Sequence, residues 1–528
     1  MASSEHQPLL PSHQSSQGNA NTPRQRRRAR RYSDDDDGPN YPFLALFGLL
    51  ILTTLAVYLH FWNYGNPFLK PSLASTIKVK RIVHHLENLD TIARSNPRFG
   101  KSRSVLLGYN ASAEYFYDTL VNETDYIVTK QPFEIELYGY AEPPVLSISN
   151  VSLTPEVDFG ILPKSGAADL IDVPIDAVHG GCSAADFDEL TPGHVALLVK
   201  EGPCSYRLKL KLAVQAKAAA ILMYSKYSNP GPAYGRCEDC DLVPAIGITH
   251  QLALDIFERI AIHPDHKLTL SGRLRPATQV VTTLNIVAET RGGRDDRVIV
   301  SGSHLDSVPE GPGINDDGSG ASATLEIALS FYRSGLAKKT VNKVRFAFWS
   351  AEELGLLGSY YYVNHLNATN PKELKKIALS LDNDMLASPN YIRAIYDGKN
   401  AEKEKMRGPS GVIQKVFQKW FDQNGLHHQP TEFDGRSDYA GFLLYDIPSG
   451  GLFTGAEKIK TMEEARLYGG MVGVPYDPCY HQLCDDLVNI QGPGTVILEE
   501  MAVALAHAID RFAFEPDLKG LLAGRVPI

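Results

Sequence analysis

From about residue 279 onward the chain alternates short apolar, partly β-branched runs with segments of helical period. Residues 283–288, 298–302, 344–349 and 378–381 have strand length, while 318–332 and 495–512 repeat apolar residues at helical spacing. The alternation confines this region to an α/β fold, a mixed, largely parallel sheet flanked by helices. In such sheets ligands collect outside the carboxyl ends of the strands, so an acid or histidine just past a strand gains chemical interest.

Five stretches meet that criterion. In "VIVSGSHLDS" the strand runs into His304 and Asp306, two apart in extended chain and so projecting to one side. The Asp306 carboxylate can then hold the His304 ring for metal binding, and a buried structural His–Asp pair is the alternative. In "GPGINDDGSG" Asp316 and Asp317 sit in a glycine-rich turn before a helix, where they either cap the helix or bridge cations. In "VRFAFWSAEELG" the adjacent Glu352 and Glu353 follow a nearly all-apolar strand, which argues against a solvated face. Asp384 in "ALSLDNDML" and His481 in "CYHQLCDD" complete the set. Imidazole with carboxylate oxygen suits zinc, manganese or cobalt, whereas a thiolate site would require cysteines better used elsewhere.

At 528 residues the chain exceeds what one core usually serves, and a net charge of -9 argues against nucleic acid as a partner. Its basic cluster, six arginines between Arg24 and Arg31, precedes an apolar run over 43–59 that Phe61 and Trp62 extend. That run is long enough to span a bilayer and lacks a small-residue cleavage site, so 42–62 is expected to be an uncleaved transmembrane anchor. The arginines place residues 1–41 in the cytosol as a disordered tail, and everything beyond 62 in a lumen or outside the cell. Sequons at Asn110, Asn122, Asn150 and Asn367 and all six cysteines lie beyond the anchor. Cys479 and Cys484 are the expected disulfide pair, with Cys182, Cys204, Cys237 and Cys240 forming two more. Cys237-x-x-Cys240 has no companion pair at zinc-finger spacing.

Residues 155–278 have a different texture, with short apolar runs at 195–199 and 218–223 around a helix-like stretch at 206–216. "GHVALLVKEGPC" and "AVQAKAAAILMYS" make this piece resemble the protease-associated domain, which implies a β-rich lid or gating module without catalytic residues. The elements around it, "GSHLDSV", "GPGINDDGSG", "AEELGLLGS", "DNDML", "GRSDYAGF", "GGLFTGAE" and "DPCYHQLCDD", resemble the co-catalytic di-zinc aminopeptidases, secreted bacterial leucine-type enzymes and their vacuolar fungal relatives. The resemblance covers about 80–515 and implies a zinc exopeptidase fold over 76–154 and 279–515, leaving 516–528 as a C-terminal tail. It implies two zinc ions bridged by Asp316, with His304 and Asp384 completing one site and Glu353 and His481 the other. It further implies Glu352 as general base, Tyr480 as oxyanion stabiliser, Asp306 as the orienter of His304, Arg436 in the substrate region, and a cis peptide between Asp316 and Asp317. Peptides are the expected substrates, released one N-terminal residue at a time.

Other hydrolase patterns are missing: there is no His-Glu-x-x-His and no Gly-x-Ser-x-Gly, and Gly100-Lys101-Ser102 lacks the first glycine of a phosphate loop because residue 95 is Ser. A carboxypeptidase or dipeptidase of the same fold would need an arginine cluster for the substrate carboxylate. A single-zinc cyclase would not need a full bridging set, and a non-catalytic receptor of the transferrin-receptor kind would be expected to have lost ligands. Glu5, Leu9 and Leu10 resemble an acidic dileucine signal read by sorting adaptors, so the vacuolar or lysosomal membrane is the expected location, with the plasma membrane as alternative. Replacing Leu9 and Leu10 by Ala is expected to move the protein to the cell surface, which microscopy of a tagged chain would report; an unchanged distribution would mark the pair as accidental.

Overall fold

The computed structural model describes residues 53–54, 72–95, 101–155, 157–226, 231–233, 235, 243–262 and 267–528. The expected tail 1–41, the sorting residues Glu5, Leu9 and Leu10, the anchor 42–62 apart from Thr53 and Thr54, and the pair Cys237 and Cys240 lie outside the described residues. Among the described residues no helix is long and apolar enough to cross a membrane.

Two helices, Val79–Arg94 and Tyr109–Glu123, lead into the long strand β1 (Ile127–Tyr140). The chain then builds β2 (Val145–Ile148), β3 (Val151–Leu153), β4 (Phe159–Ile161), β5 (Ala168–Ala177), β6 (Val195–Val199), β7 (Ala220–Tyr224), β8 (Ala245–Ile248) and β9 (Thr269–Leu274). These form their own eight-stranded sheet, in the order β3-β2-β9-β5-β6-β7-β8-β4. The chain returns with β10 (Pro276–Glu289), β11 (Arg294–His304), β12 (Asn342–Trp349), β13 (Ile377–Asn383), β14 (Ala394–Tyr396), β15 (Gln429–Thr431) and β16 (Ser449–Phe453). With β1 these make the first sheet, ordered β1-β10-β12-β11-β13-β16-β14-β15.

The centre of that sheet is parallel: β11 pairs in parallel with β12 and β13, and β13 with β16. Parallel strands carry helices on both faces and read as continuous apolar runs. β12 obeys this rule, with all its residues buried. Its Val344, Phe346 and Phe348 join a core that includes helices Gly318–Arg333 and Pro493–Ala513, while Ala347 and Trp349 pack with Tyr362 and Phe442 on the other side. Helix Gly318–Arg333 sits so close to the sheet that a Cβ on Gly320 would lie 1.8 Å from the Asn383 carbonyl oxygen. Only glycine permits that approach.

Three expected boundaries shift. β2 and β3 hydrogen-bond into the second sheet, so the inserted domain begins soon after Tyr140 rather than at 155. β10 starts at Pro276, pairing with Tyr140, so the return falls slightly before 279. The segment 516–528 is no free tail: its helix Leu518–Leu522 buries Leu518 and Leu521 in the main core, and Lys419 Nζ donates to the Ile528 backbone oxygen at 2.6 Å. Its closely spaced leucines supply apolar area that packing removes from water.

One buried charge ties the leading helices to this core. Glu326, 1 % exposed, accepts from Arg333 Nη2 at 2.6 and 2.7 Å and from Ser330 Oγ at 2.7 Å, with His85 Nε2 at 3.8 Å. Burial pushes this carboxyl up, but His85, Arg333 and Ser330 outweigh it and hold it at about 2, below its ordinary 4.5. The ionised form is therefore favoured on folding, and its contribution is fully present above about pH 4.5 and lost as pH falls toward 2. Glu326→Gln is expected to destabilise the fold by about 2 kcal/mol at pH 7 in urea unfolding. The difference from wild type should shrink steadily below pH 4.5, and a pH-independent difference would refute the assignment.

Candidate metal centre

Each central strand delivers its polar residues at its carboxyl end, as the fold class requires. β11 ends on His304, β12 is followed by Glu352 and Glu353, and β13 is followed by Asp384. Asp316 lies in the turn before helix Gly318–Arg333, and His481 on a loop after β16.

These residues converge. His304 Nε2 is 3.1 Å from Asp316 Oδ1, 3.7 Å from Asp384 Oδ1 and 3.9 Å from Glu352 Oε2. His481 Nε2 is 3.1 Å from Asp316 Oδ2 and 3.1 Å from Glu353 Oε2. Two groups could each hold a metal ion, His304 with Glu352 and Asp384, and Asp316 with Glu353 and His481. Asp316 joins them by presenting one oxygen to each histidine. Glu352 lies at the first group, its Oε2 3.9 Å from His304 Nε2 and farther from that ring than Asp316 or Asp384.

The donor set fits divalent cations on two further counts. Asp384 Oδ1 and Glu353 Oε1 are buried side-chain oxygens without a hydrogen-bond partner, an expensive condition unless a cation completes it. The charges are also crowded. Burial, reinforced by the neighbouring carboxylates Glu353, Asp438 and Asp384, drives Glu352 well above the usual carboxylate range. Burial and Asp316 raise Glu353 to about 7. Burial opposes a charge on the imidazoles, yet Glu352, Asp316 and Asp384 push His304 well up, and Glu353 and Asp316 take His481 to about 11. Bound cations would relieve the same imbalance.

Supporting residues hold the geometry. His304 Nδ1 contacts the backbone oxygen of Asp306 at 3.1 Å, while the Asp306 carboxylate stands 3.8 Å away. That carboxylate instead accepts from the backbone N–H of Glu352 at 3.1 Å and of Glu353 at 3.4 Å. Asp306 thereby orients His304 through its main chain, correcting the side-chain contact expected from sequence. Asp317 caps helix Gly318–Arg333, accepting from Gly320 N at 2.9 Å and from Met385 N at 3.0 Å, and its peptide bond with Asp316 is cis as expected. Arg436 reaches Glu457 at 2.8 Å and Tyr480 Oη at 3.1 Å, and the Tyr480 ring stacks on His481 with centroids 3.8 Å apart. The disulfide Cys479–Cys484 brackets both, and Cys182–Cys204 forms in the second domain.

Sequence reasoning missed three groups. Arg103, fully buried, donates to the backbone oxygens of Pro312 at 2.7 Å, Leu305 at 2.5 Å and Gly313. Asp485 accepts from Asn315 N at 2.8 Å and Asp316 N at 3.0 Å. Ser437 Oγ donates to Asp384 Oδ2 at 2.8 Å. Asp485 and Ser437 lie inside quoted motifs, so a signal existed for them; Arg103 sits two hundred residues away by sequence, where nothing marked it.

Comparison with known proteins places this geometry. The model for peptidase family M28 matches residues 285–506, and that for the PA domain matches 168–256. A probable leucine aminopeptidase 2 of Trichophyton verrucosum is 36% identical over 467 residues, covering 85% of this chain and 87% of the relative. The chain belongs to peptidase family M28. An aminopeptidase of Pseudomonas aeruginosa is 38% identical over 467 residues, covering 82% of this chain and 83% of its own. Among solved structures, a zinc aminopeptidase from Bacillus subtilis shares the fold with a TM-score of 0.64 at 21% identity, over 83% of this chain and 96% of that one. The M28 peptidase therefore carries its PA domain as an insert between β1 and β10.

The two neighbouring aspartates give a direct test. Asp316→Asn is expected to strip bound metal, because a neutral amide replaces the carboxylate that both histidine groups share, whereas Asp317→Ala should retain metal and lose about 1 kcal/mol through the helix cap. Elemental analysis beside thermal melts would separate them, and equal metal loss in both would show that Asp316 is not the distinctive bridging acid.

Proposed function

We propose that this M28 peptidase is a membrane-anchored aminopeptidase working with two zinc ions, its catalytic domain lumenal, at a vacuolar or lysosomal membrane. The carrying observation is Asp316, whose two oxygens each lie 3.1 Å from a different histidine. The chain is a zinc aminopeptidase, in line with its relatives; the count of two ions rests on the twin donor groups.

His304, Asp316 and Asp384 on one side and Asp316, Glu353 and His481 on the other would hold the ions, with Glu352 beside the first. Zinc bound there supplies Lewis acidity toward a peptide carbonyl and lowers the pKa of water. Glu352, buried and among like charges, takes the proton of the attacking water and hands it to the leaving amine. Tyr480 donates to the oxyanion that develops on the carbonyl, steadied by Arg436 and by its stack on His481. Asp306 fixes the backbone that carries Glu352 and Glu353.

Leu106, Leu354, Ile459 and Leu483 are exposed apolar side chains on the same cavity as Glu353 and His481, which favours an apolar N-terminal residue in the substrate. The sequons Asn110, Asn122, Asn150 and Asn367 are all exposed, and two disulfides close, as an oxidising, glycosylating compartment would require.

Glu352 and Glu353 test the mechanism because neighbours of identical chemistry receive different tasks. Glu353→Ala is expected to lower zinc occupancy, stability and rate together. Glu352→Ala should keep two zinc equivalents and the fold while kcat falls about a hundred- to ten-thousand-fold. Metal analysis with steady-state kinetics decides, and a Glu352 variant that sheds zinc or keeps near-native kcat removes the proton-transfer role.

A further inference from the structure

We propose that the open edge of β1 is the docking strand for the part of a peptide substrate downstream of the scissile bond. The peptide adds to the first sheet as one more strand, held by main-chain hydrogen bonds; this rests on the aminopeptidase reading above.

β1 ends the first sheet, and among the described residues its strand partner is β10 alone. Residues 133–140 line, without interruption, a cavity of about 2860 Å³ that also holds Glu353, Tyr480 and His481. Side chains alternate across a strand, so a cavity facing one side of the sheet would be lined by every second residue. An unbroken run means that the edge itself borders the cavity.

The sequence fixes which backbone groups point outward. Pro132 lies within β1 opposite Leu284 and has no N–H, so it belongs on the side away from the ladder. Beyond the strand, Ala141 N donates to Arg275 O at 2.9 Å, which assigns the odd-numbered residues to the β10 side. The register between β1 and β10 runs without a bulge from Ile127 to Tyr140. Glu134 and Glu136 therefore present their N–H and C=O groups to the cavity. Among the described residues no other backbone group bonds to them.

The edge also starts in the right place. The Phe133 ring stacks on Tyr361 at 4.7 Å, and Phe133 and Ile135 pack with Ala351, next to Glu352. From there the strand runs to Tyr140, where the chain enters the inserted domain, and Lys200 and Tyr206 of the PA domain line the same cavity. An extended peptide whose first residue is held at the metal centre would lie along this strand. Main-chain pairing reads no side chain, which suits an enzyme that must accept whatever follows each residue it removes.

The test uses the metal-loaded full chain with leucine p-nitroanilide, which has no downstream backbone, and a leucyl hexapeptide. In the hexapeptide a single N-methyl group is moved along the amides from the third residue onward. A lost hydrogen bond should raise KM about three- to tenfold, at alternate positions, with little change between them. Glu134→Pro, which deletes one outward N–H, should lower the ratio of hexapeptide to anilide kcat/KM at least threefold. An N-methyl series with no alternation, or none of these losses while the anilide is turned over, overturns the docking strand. Failure of the wild type on the anilide overturns the aminopeptidase reading instead.

Discussion

Everything in the peptidase domain is arranged around one buried carboxylate placed between two imidazoles. Asp316 can address His304 and His481 at once only if the turn from Gly313 to Asp317 is held rigidly, since its side chain is too short to correct an error in the backbone. Arg103 grips that turn from one side through the carbonyls of Pro312 and Gly313, and Asp485 from the other through the N–H groups of Asn315 and Asp316. Both clamps are buried ionisable side chains, Arg103 at 0% and Asp485 at 1% exposure. Burial pushes Asp485 well up and Arg103 down, so the scaffold accepts an electrostatic cost to keep one oxygen pair in place.

That carboxylate also explains the loop that carries His481. Asp477 and Asp485 stand at its two ends, Asp477 accepting from Asn315 Nδ2 at 2.6 Å. The loop and the Asn315–Asp316 turn are thereby fastened to one another, and the disulfide Cys479–Cys484 shortens what lies between. A histidine on an otherwise exposed loop gains the precision of a strand end.

Much of this was legible in sequence because periodicity and chemistry coincided. The apolar runs that become β11, β12 and β13 end on or just before His304, Glu352–Glu353 and Asp384, so the strand rule located the candidate site residues as well as the sheet. What stayed hidden depended on distance along the chain. Arg103 acts on carbonyls about two hundred residues later, and no local pattern announces a side chain that bonds only to backbone. The edges of the insert were misread because β2 and β3 are short and half exposed, and strands of that kind carry no pairing preference of their own. Asp306 was given the correct partner through the wrong atom: residue spacing predicts which side a group faces but not whether main chain or side chain arrives first.

The register of β1 and β10 has one more implication. Tyr140 and Pro276, where the chain leaves the first sheet and where it comes back, stand opposite one another as neighbours. The whole PA domain thus hangs from the tip of a hairpin, like a cassette clipped into a turn. A tight loop joining those two residues would leave the strand order of the first sheet and the candidate metal residues untouched. Loss or exchange of the cassette is therefore open to evolution at small topological expense, and what changes with it is the PA-domain share of the cavity lining rather than Glu353, Tyr480 and His481.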